Sequence, residues 1–219
     1  MELEPEVARW LRSLTTREFS QVDVYVGMLA ERATTLGEPW SRNLGDGVRE
    51  LRFHLHPREF RITYWLAPGR RIVLLTVFRK TRMRETDEVA RAKALRKVCE
   101  SEHGCAHTDF DRRYPIMTEH PSMDDLRRER MSSPEFDAGE YAAGRAEAIL
   151  AIELAEAIRE RRLELGLTQT QLAERAGLRQ PEVSRLESGG GTPTIGMLER
   201  LAYALEVRFV ARFEKVDAA

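Results

Sequence analysis

The stretch LTQTQLAERAGLRQPEVSRLESG, residues 167–189, decides the fold of the C-terminal part of this chain. Helix-forming residues follow Thr168, which is a good helix N-cap. Gly177 predicts the end of this helix, because glycine readily adopts the left-handed backbone of a tight turn. Pro181 is suited to the first turn of a second helix, where its missing N–H costs nothing. The stretch therefore predicts two short helices joined by a turn, a geometry that places a helix in the DNA major groove.

The second of these helices separates apolar from polar side chains. Val183 and Leu186 fall on one side, and amide, hydroxyl and guanidinium groups fall on the other. Such groups are suited to hydrogen bonding with base edges and phosphates. An ordinary helical hairpin with a polar outer face is the alternative. DNA binding is favoured instead, because five features occur in register: a helix cap, an apolar stripe, a glycine turn, a proline and a polar face.

This segment resembles the lambda-repressor-like helix-turn-helix domains of the XRE family. Residues 153–166 resemble the first helix of those domains, and residues 192–205 resemble the helices that close the bundle. In that family an arginine of the first helix pairs with the glutamate that ends the recognition helix, and Arg162 and Glu187 hold the matching positions. The resemblance implies DNA contacts from five polar residues: Gln169, Arg179, Gln180, Ser184 and Arg185.

The composition is that of a globular protein with a highly charged surface, since 42% of the 219 residues are hydrophobic and 32% are charged. This length suffices for two compact domains. No apolar run approaches the roughly 18 residues needed to cross a bilayer, and no secretory leader is recognisable. We therefore expect a cytoplasmic protein without a membrane partner. Cys99 and Cys105 are too few for a disulfide framework and fit a reducing compartment.

The formal net charge of −1 hides an asymmetry along the chain. Residues 1–104 hold 19 Lys and Arg against 15 Asp and Glu, and the remainder holds 16 against 21. Within the first part, residues 49–97 carry 14 basic and 5 acidic side chains. This excess favours a polyanion partner, with a solvated basic face as the alternative. The acidic second part suggests that the basic surface is covered from within the same molecule.

Residues 1–104 predict an α+β domain. A short helix from Pro5 and a second helix capped by Thr15 or Thr16 come first. Three strands joined by hairpin-length turns follow at residues 48–55, 60–67 and 71–80. They predict an antiparallel meander, and residues 85–99 predict a closing helix. Helices packed against one antiparallel sheet are the expected architecture.

The same residues resemble the RelE/HigB family of toxins, in its phage-derived HigB-like branch, through the stretches GVRELRF, FRITYW, LLTVFRKT and ARAKALR. The resemblance implies a small antiparallel sheet with helices, and cleavage of mRNA on the ribosome without a metal. Relatives begin with an edge strand before the first helix. Here only four residues precede Pro5, so we expect this first strand to be missing or vestigial.

Cleavage of RNA without a metal requires attack of the 2′-hydroxyl on the adjacent phosphate. It therefore needs a proton acceptor, stabilisation of the developing charge and assistance to the leaving oxygen. Glu50, Arg52 and His54 alternate onto one face of the first strand of the meander, in steps of about 7 Å. The same concave surface is expected to receive four residues of the neighbouring strands: Arg61, Thr63, Arg79 and Lys80.

The resemblance assigns Arg52 and Arg61 to the scissile phosphate and Lys80 to charge stabilisation. Glu50 is a candidate general base, with a cross-strand ion pair as the alternative. Tyr64 is a candidate for stacking a base or orienting the phosphate, with a place in the core as the alternative. A cationic cluster at one strand end is costly without an anion, which favours a phosphate ligand.

Four side chains of ligand type fall within nine positions: Cys99, His103, Cys105 and His107. Their spacing matches no common zinc module, and the segment is a predicted helix end that runs into a linker. No glycine-rich phosphate loop or nucleophile elbow is recognisable, and the three glycines at 189–191 follow the recognition helix as a turn. We therefore expect neither a metal nor a cofactor.

Residues 105–137 are polar and interrupted by prolines, which predicts a linker with one or two helical turns near residues 123–131. A long helical segment then opens the helix-turn-helix domain, residues 138–219. At the end of the chain, residues 206–216 alternate apolar and polar side chains, which predicts a strand. A lone strand needs a partner, and pairing with the same strand of a second copy would give a symmetric homodimer.

Together these features predict a toxin–antitoxin fusion of the HigB–HigA type, with the toxin first. Met117, Met123 and Met131 lie where a separate antitoxin could have started. The predicted partners are operator DNA and mRNA on the ribosome. The C-terminal domain is expected to bind the operator and repress transcription. Tethering gives the antitoxin an effective concentration on the order of millimolar, so an inhibited toxin is expected. The alternative is a transcription regulator whose degenerate N-terminal domain only dimerises or senses a ligand. A third hypothesis is an active fused nuclease without inhibition in cis.

Overall fold

A computed structural model describes residues 1–81, 85–102 and 121–212 of the chain. Internal contacts divide it into two compact units, residues 1–150 and residues 151–219. The elements that lie wholly in the first unit are β1 (Glu2–Leu3), α1 (Pro5–Ser13), α2 (Thr16–Arg32), β2 (Ser41–Gly45), β3 (Val48–Leu55), β4 (Arg58–Ala67), β5 (Arg71–Arg79), α3 (Thr86–Glu102) and α4 (Met123–Met131). The boundary falls inside α5 (Ala138–Glu164), and α6 (Gln169–Ala176), α7 (Gln180–Glu187) and α8 (Ile195–Ala204) follow in the second unit.

The first unit contains one sheet with the strand order β1-β5-β4-β3-β2. β1 runs parallel to β5, and all other neighbours are antiparallel. The predicted meander is confirmed as β3, β4 and β5. The expectation of a vestigial first strand is also confirmed, since β1 has two residues.

The sequence analysis missed β2. Gly45, Asp46 and Gly47, which connect β2 to β3, all have positive φ angles of 85°, 50° and 73°. An Asp-Gly pair between two extended stretches is a signal for a tight hairpin, because few other residues adopt these angles at low cost. The hairpin adds an edge strand to the predicted meander.

Different helices cover the two faces of the sheet. On one face, Phe53 and Phe60 pack against Trp10 of α1 at ring-centroid distances of 6.1 and 5.3 Å, and Tyr25 of α2 lies 5.6 Å from Phe53. On the opposite face, Ala92 and Cys99 of α3 cover an apolar cluster at one end of the strands: Val48, Trp65, Ala67, Val73 and Leu75. The other end of this second face carries the charged residues.

Residues 121–150 belong to the first unit. The helical turns predicted near residues 123–131 are confirmed as α4, which is capped by Ser122 and buries Met123 and Leu126. The earlier part of the predicted linker, with Met117, lies outside the described residues. The predicted boundaries after residues 104 and 137 stay predictions, since contacts group the chain differently.

The second unit is a small helical bundle. α6, α7, α8 and the end of α5 enclose one apolar core: Ile158, Leu172, Ala173, Ala176, Val183, Leu186, Leu201, Ala204 and Leu205. The Thr168 hydroxyl accepts a hydrogen bond from the Gln171 N–H at 3.2 Å and so caps α6. Gly177 ends α6 with a φ of 62°, and Pro181 lies in the first turn of α7. These features were predicted from the sequence.

The strand predicted at residues 206–216 is wrong for the part that the structure describes, because residues 207–212 form neither helix nor strand. The described part of this helical unit offers no open strand edge for their N–H and C=O groups. Residues 213–216 lie outside the described residues. Val207 and Val210 are exposed, so the alternation of apolar and polar residues in this stretch does not reflect burial within one chain.

Among the described helices, none combines the length and apolarity needed to cross a membrane.

Candidate nucleic-acid interfaces

A groove of about 920 Å³ lies on the α3-covered face of the sheet, beside the first turns of α3. We call it the sheet groove. Five cationic side chains line it, namely Arg42, Arg52, Arg61, Lys80 and Lys93, together with the carboxylates of Glu50 and Glu85. Cations therefore outnumber carboxylates on its walls, which favours an anionic ligand.

The pairing of the strands explains why these residues meet. Arg52 lies opposite Arg61 in the β3–β4 pair, and Arg61 lies opposite Phe78 in the β4–β5 pair. Side chains alternate along a strand, so Glu50, two residues before Arg52, and Lys80, two residues after Phe78, fall on the same face. The structure thus brings together four predicted catalytic residues: Glu50, Arg52, Arg61 and Lys80.

Arg61 is the most confined cation of the sheet groove, with only 8% of its surface exposed. Burial, together with the like charge of Arg52, lowers the pKa of Arg61 from its ordinary value. Its Nη1 donates to the Phe60 carbonyl at 2.9 Å, and its Nη2 donates to Glu59 Oε2 at 3.3 Å. Like charges on directly opposite residues are unfavourable, so an anion between Arg52 and Arg61 would stabilise this arrangement.

Glu59 organises one end of the sheet groove and was missed by the sequence analysis. Its carboxylate lies 3.2 Å from His54 Nε2, 3.3 Å from Arg61 Nη2 and 3.7 Å from Lys80 Nζ. Burial alone would raise the pKa of Glu59, but attraction to His54, Arg61 and Lys80 outweighs it and lowers the pKa. The sequence predicts a turn between residues 55 and 60, whereas the structure places Glu59 in β4, opposite His54 of β3.

Glu50, the candidate general base, forms an ion pair with Arg52. Its Oε1 accepts hydrogen bonds from Arg52 Nε and lies 2.8 Å from Arg52 Nη2, and only 8% of Glu50 is exposed. This ion pair lies within β3 and not across two strands, and the assignment of Glu50 as general base stays a prediction.

Tyr64 and Arg79 lie outside the sheet groove. Tyr64 is fully buried on the α1–α2 face, where its hydroxyl shares a 2.7 Å hydrogen bond with Ser41 Oγ and burial raises its pKa. Arg79 lies opposite Phe60 and so falls on that same face. The prediction that Arg79 lies on the concave surface is therefore wrong. The pleat sends the neighbours Arg79 and Lys80 to opposite faces, and Tyr64 takes the alternative place in the core.

Of the four metal-ligand-type residues considered in the sequence, the structure describes only Cys99. Cys99 is buried and donates a hydrogen bond to Glu4 Oε1 at 2.9 Å. His103, Cys105 and His107 lie outside the described residues. Within residues 1–81, 85–102 and 121–212, no three His, Cys, Asp or Glu side chains are arranged to hold a metal ion.

A hydrogen-bonded chain, which begins at the buried pair of Arg162 and Glu187, connects the two central helices of the second unit. Arg162 donates to both carboxylate oxygens of Glu187, at 2.5 and 2.9 Å, which confirms the predicted pair. Gln169 Nε2 donates to Glu187 Oε2 at 3.0 Å, and Gln180 Nε2 donates to Gln169 Oε1 at 3.0 Å. These four residues, the Arg162–Gln180 chain, connect α5, α6 and α7. They hold α7 at a fixed angle to α6.

The outer face of α7 is accessible to a ligand. Arg179, Gln180 and Arg185 are exposed, and Gln169 and Ser184 are partly exposed. The side chain of Arg179 is held by Glu182, with its Nε 3.2 Å from the Glu182 carboxylate. The five residues predicted to contact DNA therefore lie at the surface of the unit, at the start of α6 and along α7.

Comparisons with known proteins agree with this geometry. Residues 158–210 match the helix-turn-helix family, and residues 9–98 match the family of phage-derived Gp49-like proteins. An uncharacterized HTH-type transcriptional regulator of Methanothermobacter thermautotrophicus is 48% identical over 48 residues, which make up 22% of this chain and 70% of that protein. The chain belongs to the helix-turn-helix family.

This helix-turn-helix protein is also similar to solved restriction-modification controller proteins. C.AhdI from Aeromonas hydrophila is 29% identical, with 26% of this chain and 88% of that chain covered and a TM-score of 0.26. C.Esp1396I is 34% identical, with 27% and 77% covered and a TM-score of 0.26. The N-terminal domain of this helix-turn-helix protein is Gp49-like, of the RelE/HigB toxin type. Both resemblances predicted from the sequence are therefore confirmed.

Proposed function

We propose that this helix-turn-helix protein is a toxin–antitoxin fusion of the HigB–HigA type. Its C-terminal domain binds operator DNA and represses transcription, and it holds in check a ribosome-dependent mRNA endonuclease in the N-terminal domain. The observation that carries the proposal is the Arg162–Gln180 chain, which fixes α7 from beneath while its outer polar face remains exposed.

DNA binding follows from the polar side chains on the exposed face of α7. A helix of this size fits the major groove, where a guanidinium can bind guanine O6 and N7 together. Arg185 is exposed in the last turn of α7, and Arg179 precedes the first. The N-terminus of α6, with Gln169, offers free N–H groups and a favourable dipole to a phosphate. Base contacts then come from α7 and backbone contacts from α6.

We expect Arg185→Ala to weaken operator binding about 5- to 150-fold, which corresponds to about 1–3 kcal/mol for one lost base contact. The operator is first selected from random DNA, and its affinity is then measured by fluorescence anisotropy at fixed salt. Arg175→Ala is the matched control, since Arg175 lies on α6 and pairs with Glu206 at 3.7 Å. Equal affinities of the two variants for the operator would contradict the assignment of α7 as the reading helix.

RNA cleavage is the function that the charges of the sheet groove favour. Cleavage through the 2′-hydroxyl needs cations at the phosphate rather than a metal. Arg52, Arg61 and Lys80 supply such cations on one surface, and His54 with Glu59 supplies an imidazole–carboxylate pair beside them. We assign Arg61 and Lys80 to the phosphate and propose that Glu50 holds Arg52 in position.

Lys80→Ala is expected to lower mRNA cleavage by about 100-fold or more, as for the loss of one group that stabilises transition-state charge. Residues 1–150, the first compact unit, are expressed in growing cells, and growth and mRNA integrity are followed. Arg79→Ala is the matched control, because it removes one positive charge at the neighbouring position on the opposite face. Arrest that survives Lys80→Ala, or no arrest by the unsubstituted domain, would contradict the nuclease and favour a pure regulator.

We further propose that the protein acts as a dimer through its C-terminal end. Tyr203 is 86% exposed, and the apolar side chains of Ile195, Val207 and Val210 are exposed beside it in sequence. Large exposed apolar side chains are common at interfaces between copies. A symmetric dimer would present two copies of α7 to two half-sites of one operator.

A further inference from the structure

Residues 121–150 return to the N-terminal part of the first unit and begin by extending its sheet. The Leu3 N–H donates to the Pro121 carbonyl at 3.1 Å, and the Met123 N–H donates to the Met1 carbonyl at 3.2 Å. Glu2 and Ser122 form an antiparallel bridge between these hydrogen bonds. The segment thus covers the open side of β1, which is an edge strand that would otherwise leave its backbone groups unpaired.

α4 then packs on α1. Arg130 Nη2 donates to the carbonyls of Leu11 and Arg12, both at 3.1 Å, at the C-terminal end of α1, where backbone carbonyls need hydrogen-bond donors from beyond the helix. The same guanidinium lies 4.8 Å from the centre of the Phe19 ring. Glu129 accepts a forked pair of hydrogen bonds from the Arg12 guanidinium. α4 therefore supplies hydrogen-bond donors to the end of α1 and a cation to the ring of Phe19.

Asp23 on α2 is the most buried charge of this contact, with 3% of its surface exposed. Its donors come from α4 and α5. Arg127 Nε lies 2.6 Å from Oδ1, and the Tyr141 hydroxyl and Arg145 Nη1 lie 2.8 and 3.5 Å from Oδ2. A buried carboxylate is tolerated only when it is paired and hydrogen-bonded. Asp23 and residues 121–150 therefore complement each other.

α5 approaches α2 closely at Gly144. A Cβ at this position would lie 2.1 Å from Ser20 Oγ and 2.5 Å from the Arg17 carbonyl oxygen, so only glycine fits. One turn later, Glu147 accepts hydrogen bonds from Arg17 and Gln21. Steric fit and opposite charge thus select the same register of the two helices.

We propose that residues 121–150 are a docking segment, whose binding to α1, α2 and β1 survives when the covalent connection within residues 103–120 is cut. Four kinds of contact hold the segment: sheet pairing with β1, hydrogen bonds to the end of α1, ion pairs with the buried Asp23, and the close approach of Gly144 to α2. Its occupant is residues 121–150 of the same copy, since every contact that carries the proposal lies within one chain. It packs on the face opposite the sheet groove, so a cut alone neither releases the N-terminal domain nor changes the surface of the sheet groove.

The test uses the full chain with a protease recognition sequence inserted between residues 110 and 111. The purified protein is cut and analysed by size exclusion and native mass spectrometry. We expect the two fragments to elute together, as a 1:1 complex or, where the C-terminal ends dimerise, as a 2:2 complex. Separate elution of the two fragments at micromolar concentration would overturn the proposal.

Two pairs of substitutions show whether the described contacts hold the fragments. Arg127→Glu places a second negative charge beside Asp23, whereas Arg128→Glu changes a neighbour that pairs with Asp125 on the same helix. Gly144→Ala fills the close contact, whereas Gly27→Ala adds a methyl group where no atom lies within 4 Å. We expect Arg127→Glu and Gly144→Ala to speed fragment dissociation at least tenfold over their controls. Equal dissociation rates within both pairs would overturn the proposal. Tryptophan fluorescence of the uncut protein, unchanged in each variant, serves as the check on folding, because Trp10, Trp40 and Trp65 all lie in the first unit.

Discussion

Replacement of Arg162 by methionine is expected to lower the free energy of unfolding of the second unit by about 3–5 kcal/mol. The substitution keeps most of the volume but leaves the Glu187 carboxylate, which is 1% exposed, without its cation. Gln169 still donates to that carboxylate, yet a neutral amide does not offset a buried charge. Because small domains have total stabilities of roughly 5–15 kcal/mol, operator binding should fail near physiological temperature.

The measurement is urea unfolding followed by circular dichroism, together with operator binding as a function of temperature. Arg175→Met is the matched control, since its pair with Glu206 is exposed and should contribute less than about 1 kcal/mol. Arg162→Met combined with Glu187→Leu should regain more than half of the loss, because no unpaired charge remains. A double variant as unstable as Arg162→Met alone would show that the cost lies in packing and not in the buried charge.

Truncation of Phe53 to alanine is expected to destabilise the first unit by about 3–5 kcal/mol. Phe53 is fully buried at the centre of the aromatic cluster, with the rings of Trp10, Tyr25 and Phe60 within 6.1 Å. A small residue there leaves a cavity between the sheet and both covering helices. The same strand carries Arg52 and His54 on its other face, so loss of this core also misplaces the sheet groove.

Tryptophan fluorescence isolates this effect, because the three tryptophans of the chain, Trp10, Trp40 and Trp65, all lie in the first unit. Val98→Ala is the control, since Val98 is 47% exposed and its truncation should change stability by less than about 0.5 kcal/mol. Operator affinity at low temperature should be unaffected by Phe53→Ala. An equal loss of operator binding would contradict the division of the chain into two compact units.

The sequence was sufficient for elements whose local signals agree. Thr168, Gly177 and Pro181 each have a fixed backbone role, and the structure places them as predicted. The pairing of Arg162 with Glu187 came from family resemblance and not from spacing, since 25 residues separate the two. Likewise the meander followed from alternation and turn residues, whereas β2, Ser41–Gly45, was missed because it has a single apolar side chain, Leu44, and shows no alternation.

The residues of the candidate site could be predicted from the sequence only where the strand register could also be predicted. Alternation within one strand placed Glu50 and Arg52 together, but the face of Arg79 depends on its pairing with Phe60 across β4 and β5. A one-residue change of register reverses every side chain, and the sequence does not reveal it. The docking segment was invisible for a related reason. Asp23 and Arg127 are 104 positions apart, and nothing in either local sequence indicates the other.

The sheet and α3 are complete by residue 102, whereas the docking segment ends at residue 150. Domains fold in order as a chain emerges from the ribosome at about 5–20 residues per second. The 48 intervening residues therefore correspond to roughly 2–10 seconds of synthesis. During that interval each nascent copy would hold the sheet groove before the docking segment that pairs with β1 and Asp23 has been made, and it would do so beside the ribosome that the proposed nuclease attacks. Slow translation through this stretch would lengthen that interval, and fast translation would shorten it.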